Sequence, residues 1–157
     1  MFDIKYALST NKLFKNFSSQ EINHFLISSN YRIVNYPSGQ VIAIESEPLE
    51  EIGLVLIGNI EIQKDYPSGK KVVINQLKAG DVFGEVAIFS SKKVFPSTIF
   101  SISSSKVMFV SKSRVLKFCL QNKKFLHNLL QLLTEKILIL NNSLNFLSGK
   151  TIRQKIS

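Results

Sequence analysis

The apolar residues of this chain change their period part-way along, and that change constrains the fold more than any other feature. From Tyr31 to about Val110 they come in short runs bounded by turn residues: Tyr31-Arg32-Ile33-Val34-Asn35-Tyr36, Gln40-Val41-Ile42-Ala43-Ile44 and Gly53-Leu54-Val55-Leu56-Ile57. Asn59-Ile60-Glu61-Ile62-Gln63-Lys64 alternates strictly, as a strand with one buried face does. Lys71-Val72-Val73-Ile74, Ser97-Thr98-Ile99-Phe100 and Val107-Met108-Phe109-Val110 continue the series. Many short β-branched runs at close spacing predict an antiparallel roll, sandwich or barrel. The tetrapeptide Tyr-Pro-Ser-Gly stands at 36–39 and again at 66–69. In each copy proline presets φ for the first central position and glycine closes the turn. No wider self-similarity accompanies the two copies, so they are read as shared turn chemistry and not as an internal repeat.

Helical patterns flank this region. Residues 13–30 read as a short helical lead-in. Ser18-Ser19-Gln20-Glu21 has the capping-box spacing, and Ile22, Phe25 and Leu26 share one face, with Leu13, Phe14 and Phe17 packing beneath the cap. After Val110, Ser111 or Ser113 is placed to cap a short helix carrying Val115, Leu116, Phe118 and Cys119, which Gln121-Asn122 breaks. A long helix is expected from about Lys123 to Leu147. Leu126, Leu130, Leu133, Ile137, Leu140, Leu144 and Leu147 recur at alternating intervals of four and three, the seam of a coiled coil. Phe125, Leu129, Leu132, Ile139 and Phe146 lie off that seam. One side for the chain's own roll and the other for a second copy is the simplest account, and a homodimer through this helix is expected. The alternative is a helix that packs on its own domain alone.

Composition narrows the function classes. The formal charge of +9 admits nucleic acid, acidic lipid or nothing specific. Of the 20 basic residues all but Arg32, Arg114 and Arg153 are lysines, and Lys70-Lys71, Lys92-Lys93 and Lys123-Lys124 are pairs with no tract among them. Arginine is the residue suited to bidentate base and phosphate contacts, so charge alone does not make a DNA binder. One cysteine, Cys119, leaves no internal disulfide and no cysteine-ligated cluster, and is read as a buried apolar residue. His24 and His127 lack metal-ligand spacing, and no Gly-x-Ser-x-Gly, phosphate-binding P-loop or Cys–His pair is present. Neither an enzyme nor a cofactor or metal is expected. No apolar run approaches 18 residues and the first residues, Met1-Phe2-Asp3-Ile4-Lys5, do not form a signal peptide, so a cytoplasmic protein with no membrane partner is expected.

One segment carries chemistry. Gly80-Asp81-Val82-Phe83-Gly84-Glu85-Val86-Ala87-Ile88-Phe89 places two glycines and two carboxylates within six residues, between apolar flanks. Such a bend exposes backbone N–H groups that hold an anion, while the carboxylate beside it accepts from hydroxyls. Taken alone, the segment is equally satisfied by a structural turn.

The order of elements is more specific. A helical lead-in, Pro37-Ser38-Gly39, the run Ile52 to Gly58 before an alternating strand, Gly80-Asp81-Val82-Phe83-Gly84-Glu85, Pro96-Ser97-Thr98-Ile99 and a long apolar helix together resemble the cyclic-nucleotide-binding fold. More narrowly, they resemble the sensor half of the Crp/Fnr transcription regulators. Leu147 through Ile156 is similar to the hinge and first helix of that family's DNA-binding half. The resemblance implies an α+β, mainly β, fold: an antiparallel double-stranded β-helix or jelly roll, with a short N-terminal helix and a long C-terminal dimerisation helix. It implies a sensor domain over 1–122, a dimerisation helix over 123–148, and at 149–157 a hinge leading into a helix-turn-helix domain. Five residues follow Ile152, too few for that domain. The chain is therefore expected to be a fragment, with DNA reached only through a C-terminal part outside it.

The resemblance also implies a ligand site at Phe83, Gly84, Glu85, Val86, Ala87, Phe95, Pro96, Ser97 and Thr98. Cyclic-nucleotide members hold phosphate on backbone N–H groups and on an arginine a few residues after the Gly-Glu pair, and the glutamate takes the ribose hydroxyl. Gly84 and Glu85 match that pattern. The arginine position falls on Phe95, followed by Pro96, and the nearest cations in sequence are Lys92 and Lys93. Loss of a charge-assisted bidentate contact to a buried phosphate costs about 2–5 kcal/mol. That is roughly 30-fold to several-thousand-fold in affinity. Near the purine position the long helix offers Lys136 and Ile137 and no hydroxyl pair. Weak or absent cyclic AMP binding is expected, with a small organic effector in an apolar pocket lined by Phe83, Ile88, Phe89, Phe95 and the long helix. The alternative to a regulator's sensor is a stand-alone small-ligand or protein-interaction module on the same roll.

Overall fold

The computed structural model describes residues 1–156, with side chains through residue 142. The chain begins with α1, Ile4–Ser9, opened by Asp3, whose carboxylate accepts from the N–H groups of Lys5 and Tyr6. A 3-10 turn, Lys12–Phe14, follows, and then α2, Ser19–Ser28. The lead-in read from residue 13 onward is thus two separate pieces, and α1 precedes it. Six residues are too few to display a helical period. At α2 the capping box forms as the spacing predicts: Glu21 N–H donates to Ser18 Oγ at 3.1 Å, and Ser18 N–H donates to Glu21 Oε1 at 3.0 Å.

Eight strands follow: β1 Arg32–Tyr36, β2 Val41–Ala43, β3 Glu51–Ile57, β4 Asn59–Asp65, β5 Lys71–Lys78, β6 Val82–Phe83, β7 Thr98–Ser101 and β8 Ser105–Ser111. They form two four-stranded antiparallel sheets, in the orders β1-β8-β3-β6 and β2-β7-β4-β5. This is the mainly β jelly roll expected from the sequence. Each expected run but that at 71–74 is a strand within a residue or two, and the second Tyr-Pro-Ser-Gly closes β4 to β5, with Gly69 N–H donating to Tyr66 O at 2.9 Å. Gly69 sits at φ +86°, a region side chains with a Cβ avoid. Two details differ from the sequence reading. β5 continues to Lys78, and β6, two residues long, carries no periodicity by which to find it.

Val55, Ile60, Phe83, Ile99, Val107 and Phe109 fill the space between the sheets. Gly53 on β3 matters here, because a Cβ there would overlap the Phe83 ring. The ring therefore lies against bare backbone, and the segment after it starts from a fixed point.

α3, Lys112–Gln121, is capped by Ser111, the first of the two candidate serines, which accepts from Arg114 N–H at 3.3 Å. α4 runs from Lys123 to Ile156, past the expected end at Leu147 and through Ser148-Gly149 with no break in the helix. Its first part docks on the domain. Phe125 meets the rings of Phe14, Phe25 and Phe118 at centroid distances of 5.7, 6.1 and 4.9 Å. Buried Asn128 donates through Nδ2 to the carbonyls of Leu13 and Lys15, both at 2.9 Å. Leu129 and Leu132 complete this second core.

The other face of α4 is open. Leu130, Ile137 and Leu140 are 54%, 65% and 62% exposed, and Leu126 is exposed as well. Leu133, also placed on the seam, is half-buried against the domain's own core. Ile139, expected on the inward side, is instead 66% exposed, seven residues beyond Leu132, the last fully buried residue of α4 among the described residues. Leu144, Phe146 and Leu147 lie outside the residues whose side chains are described. Among the described residues no helix is long and apolar enough to cross a membrane.

Glu21 joins the start of α2 to the start of α4. Its carboxylate accepts from Lys124 Nζ at 2.7 Å and from Asn122 Nδ2 at 3.0 Å. The Lys124 contact first, then the Ser18 and Asn122 hydrogen bonds, lower its pKa from 4.5 to about 2. A carboxylate with a depressed folded-state pKa adds stability that is fully present above pH 4.5 and is lost as pH falls towards 2. Acid titration of unfolding is expected to show one proton's worth of slope in that window, and Glu21→Gln to remove it. An unchanged slope in the variant would refute the linkage.

Candidate ligand site in the roll

After β6 the chain reverses at Gly84, which holds φ +87° with Leu49 and the Glu51 carbonyl close to where a Cβ would stand. Ile88 N–H donates to Gly84 O at 2.9 Å, closing a single turn, and Ile88 itself is buried in the helix-side core. Within the turn the N–H groups of Glu85, Val86 and Ala87 make no hydrogen bond among the described residues. Opposite lies the segment entering β7. Phe95 N–H donates to Glu47 O at 3.0 Å, and Phe95 O accepts from Ser46 N–H at 2.8 Å. Lys64 Nζ, paired with Glu45, donates to Pro96 O at 3.0 Å.

Between these walls is a cavity of about 140 Å³. Phe83, Gly84, Glu85, Val86, Ala87, Phe95, Pro96 and Ser97 line it, as the sequence reading expected, joined by Ile62, Ile99 and Lys136. Thr98 does not line it; its Oγ1 accepts from Glu45 N–H at 3.0 Å and serves the backbone instead. Ile88 and Phe89 are also elsewhere, the first in the core and the second at the surface beneath Lys112 Nζ, 5.6 Å from its ring centroid. Lys92 and Lys93 are exposed and away from the cavity.

Among the described residues the ionic content of the cavity is one pair. Glu85, with its side chain fully buried, meets Lys136 Nζ of α4 through Oε1. Apart from that ammonium, neither carboxylate oxygen receives an N–H or O–H donor among the described residues. The cation of this site therefore comes from the long helix, while Phe95 fills the loop position where an arginine was sought. Sequence spacing brought Lys136 near the site but gave no sign that it pairs with Glu85.

Residues 33–122, more than half of the chain, match the cyclic nucleotide-binding domain family. The chain belongs to that family. It is 25% identical over 113 residues to the CRP-like cAMP-activated global transcriptional regulator of Mycobacterium tuberculosis, covering 71% of this chain and 49% of the relative. It thus spans about half the length of the curated relatives it matches. Solved structures share the fold. The catabolite activator protein of Thermus thermophilus superposes with a TM-score of 0.77 at 20% identity, over 88% of this chain and 63% of that one. The sensor domain of the regulator DNR from Pseudomonas aeruginosa gives 0.67 at 18% identity, over 84% and 91%. A transcriptional regulator of Thermotoga maritima gives 0.75 at 20%, over 82% and 98%. These superpositions show that the chain has the fold of those domains.

In this cyclic nucleotide-binding domain the buried pair has an identifiable electrostatic balance. Burial pulls the Lys136 ammonium down from 10.5 to about 8; the Lys12 charge acts in the same sense and Asp81 opposes it. Removing one partner leaves a buried charge uncompensated, which costs more than the pair contributes. Lys136→Met is expected to lower unfolding stability by about 2–4 kcal/mol, discounted for the partial exposure of the lysine, and Glu85→Gln in the same chain to recover most of it. Denaturant midpoints of the two single variants and the double variant check this, and additive losses would show that the two groups do not interact.

Proposed function

We propose that this chain is the effector-sensing and dimerisation region of a Crp/Fnr-like DNA-binding transcription regulator, working in the cytoplasm and not responding to cyclic AMP. The observation that carries the proposal is the Glu85–Lys136 pair, which joins the cavity wall directly to the helix that bears the exposed apolar seam. A ligand entering the cavity meets that pair, so binding and the position of α4 are coupled through one contact. The mechanism is a population shift between arrangements of α4, passed to DNA-binding units outside this chain. Division into a sensor over 1–122, a dimerisation helix over 123–148 and a following hinge fits this reading.

Two features argue against cyclic AMP as the effector. The loop position for a phosphate-binding arginine is Phe95, and Lys136, the one cation lining the cavity among the described residues, is already paired with Glu85, the carboxylate a ribose would need. The cavity also falls below the 300–1,000 Å³ of ordinary small-molecule sites. Isothermal titration with cyclic AMP or cyclic GMP is expected to give no micromolar dissociation constant, given a loss of roughly 30-fold to several-thousand-fold. A micromolar value would overturn this part of the proposal.

The outer face of α4 supports the dimerisation part of this reading. Leu126, Leu130, Ile137 and Leu140 form one exposed apolar stripe, and burying each leucine or isoleucine is worth about 1.5–3 kcal/mol. Sedimentation is expected to show a dimer, and Leu130→Glu with Ile137→Glu a folded monomer. A wild-type monomer at 100-micromolar-scale concentration would remove the dimerisation role.

A further inference from the structure

The cavity has a size, an apolar lining and a buried carboxylate oxygen without a donor, in a turn whose N–H groups are also unpaired among the described residues, and together these specify a ligand class. Its volume of about 140 Å³ is close to that of engineered apolar cavities that accept benzene, about 150 Å³. Its walls are Phe83, Phe95, Ile62, Ile99, Pro96 and Ala87, surfaces suited to a flat apolar body. Against them stands one carboxylate. Glu85 Oε1 meets the Lys136 ammonium, but Oε2 has no donor although the side chain is fully buried. A buried acceptor without a donor is costly, and a charged one more so.

We propose that the cavity binds a neutral, benzene-sized molecule with a single hydroxyl group, of the phenol class, whose O–H donates to Glu85 Oε2 while its oxygen accepts from Lys136. The inference rests on the sensor reading given above and names the effector class of the same site. A hydrocarbon of equal size fills the volume but leaves Oε2 unmet. A carboxylic acid brings a second negative charge beside Glu85 with one ammonium to balance both. A phenol satisfies the acceptor, uses a spare N–H of the ammonium and adds no charge. It also touches both members of the pair, one on the roll and one on α4.

The test titrates phenol, toluene, benzoate and cyclic AMP separately into the chain, by calorimetry with saturation-transfer NMR for the weak binders. Phenol is expected to bind with a dissociation constant between about 10 µM and 1 mM, the range open to a ligand of so few atoms. Toluene and benzoate are expected to bind at least about tenfold more weakly, one hydrogen bond to a charged group being worth that much or more. Ala87→Leu, which fills the cavity, abolishes phenol binding, and Glu85→Gln reduces the preference for phenol over toluene to a few-fold. The wild-type comparison decides the matter even if a variant fails to fold. Toluene or benzoate binding as tightly as phenol, phenol binding that a folded Ala87→Leu variant leaves untouched, or no phenol binding at 10 mM-scale concentration would each overturn the inference and leave the sensor reading standing. Micromolar binding of cyclic AMP would overturn both.

Discussion

The rest of the structure depends on how the first turns of α4 are held. Phe125 enters a cluster of phenylalanines drawn from the 3-10 turn, α2 and α3, and Asn128 fixes the helix in rotation as well as position. A leucine at 128 would bury apolar area equally well but would leave the carbonyls of Leu13 and Lys15 without their donor, and the helix free to roll. With Asn128 placed, the helix rise puts Lys136, eight residues on, about 12 Å further along the axis. That is where Glu85 lies. The same rotation turns Leu126, Leu130, Ile137 and Leu140 outward. One docking contact thus sets both the polar end of the cavity and the apolar face that α4 leaves exposed.

The Glu85–Lys136 pair is a poor device for stability, since desolvating two charges offsets most of what their attraction returns. Its value is in connecting parts. Glu85 belongs to a turn fixed at one end by Phe83 over Gly53 and at the other by buried Ile88. Lys136 belongs to a helix anchored two turns earlier. Little else polar lines the space between them, so anything that competes for the carboxylate acts on the helix. An arginine on the β7 side would have kept ligand recognition within the roll. Phe95 stands there instead, and the cation that meets Glu85 is on α4.

Charge elsewhere is organised by pairs that cross between elements. Lys12 meets Asp81, Arg32 meets Glu51, Lys64 meets Glu45 and Lys124 meets Glu21, each joining segments distant in the chain. All four have exposed or half-exposed members and add little stability singly. Their effect is local: the Lys64 ammonium also holds the Pro96 carbonyl, and the Glu21 carboxylate joins the α2 cap to the head of α4. The remaining lysines are scattered and form no tract.

Local patterns determined much of this protein from sequence alone. Alternation and turn residues placed seven strands, the Ser18–Glu21 spacing gave the cap of α2, and the alternating four-three leucine pattern gave α4 and its outer face. Each is a signal confined to neighbouring residues, where periodicity and capping act directly. Tertiary structure decided the rest. β6 exists because β3 pairs with it, not because two residues prefer a strand. Thr98 leaves the cavity because Glu45 N–H claims its hydroxyl, and Ile139 lies exposed beyond Leu132, the last fully buried residue of α4 among the described residues. Lys136 became the cation of the site through the docking of a helix, and no spacing rule connects it to Glu85. A buried charge takes its partner from whatever the fold brings within reach, and that is a property of the packing and not of the sequence around either residue.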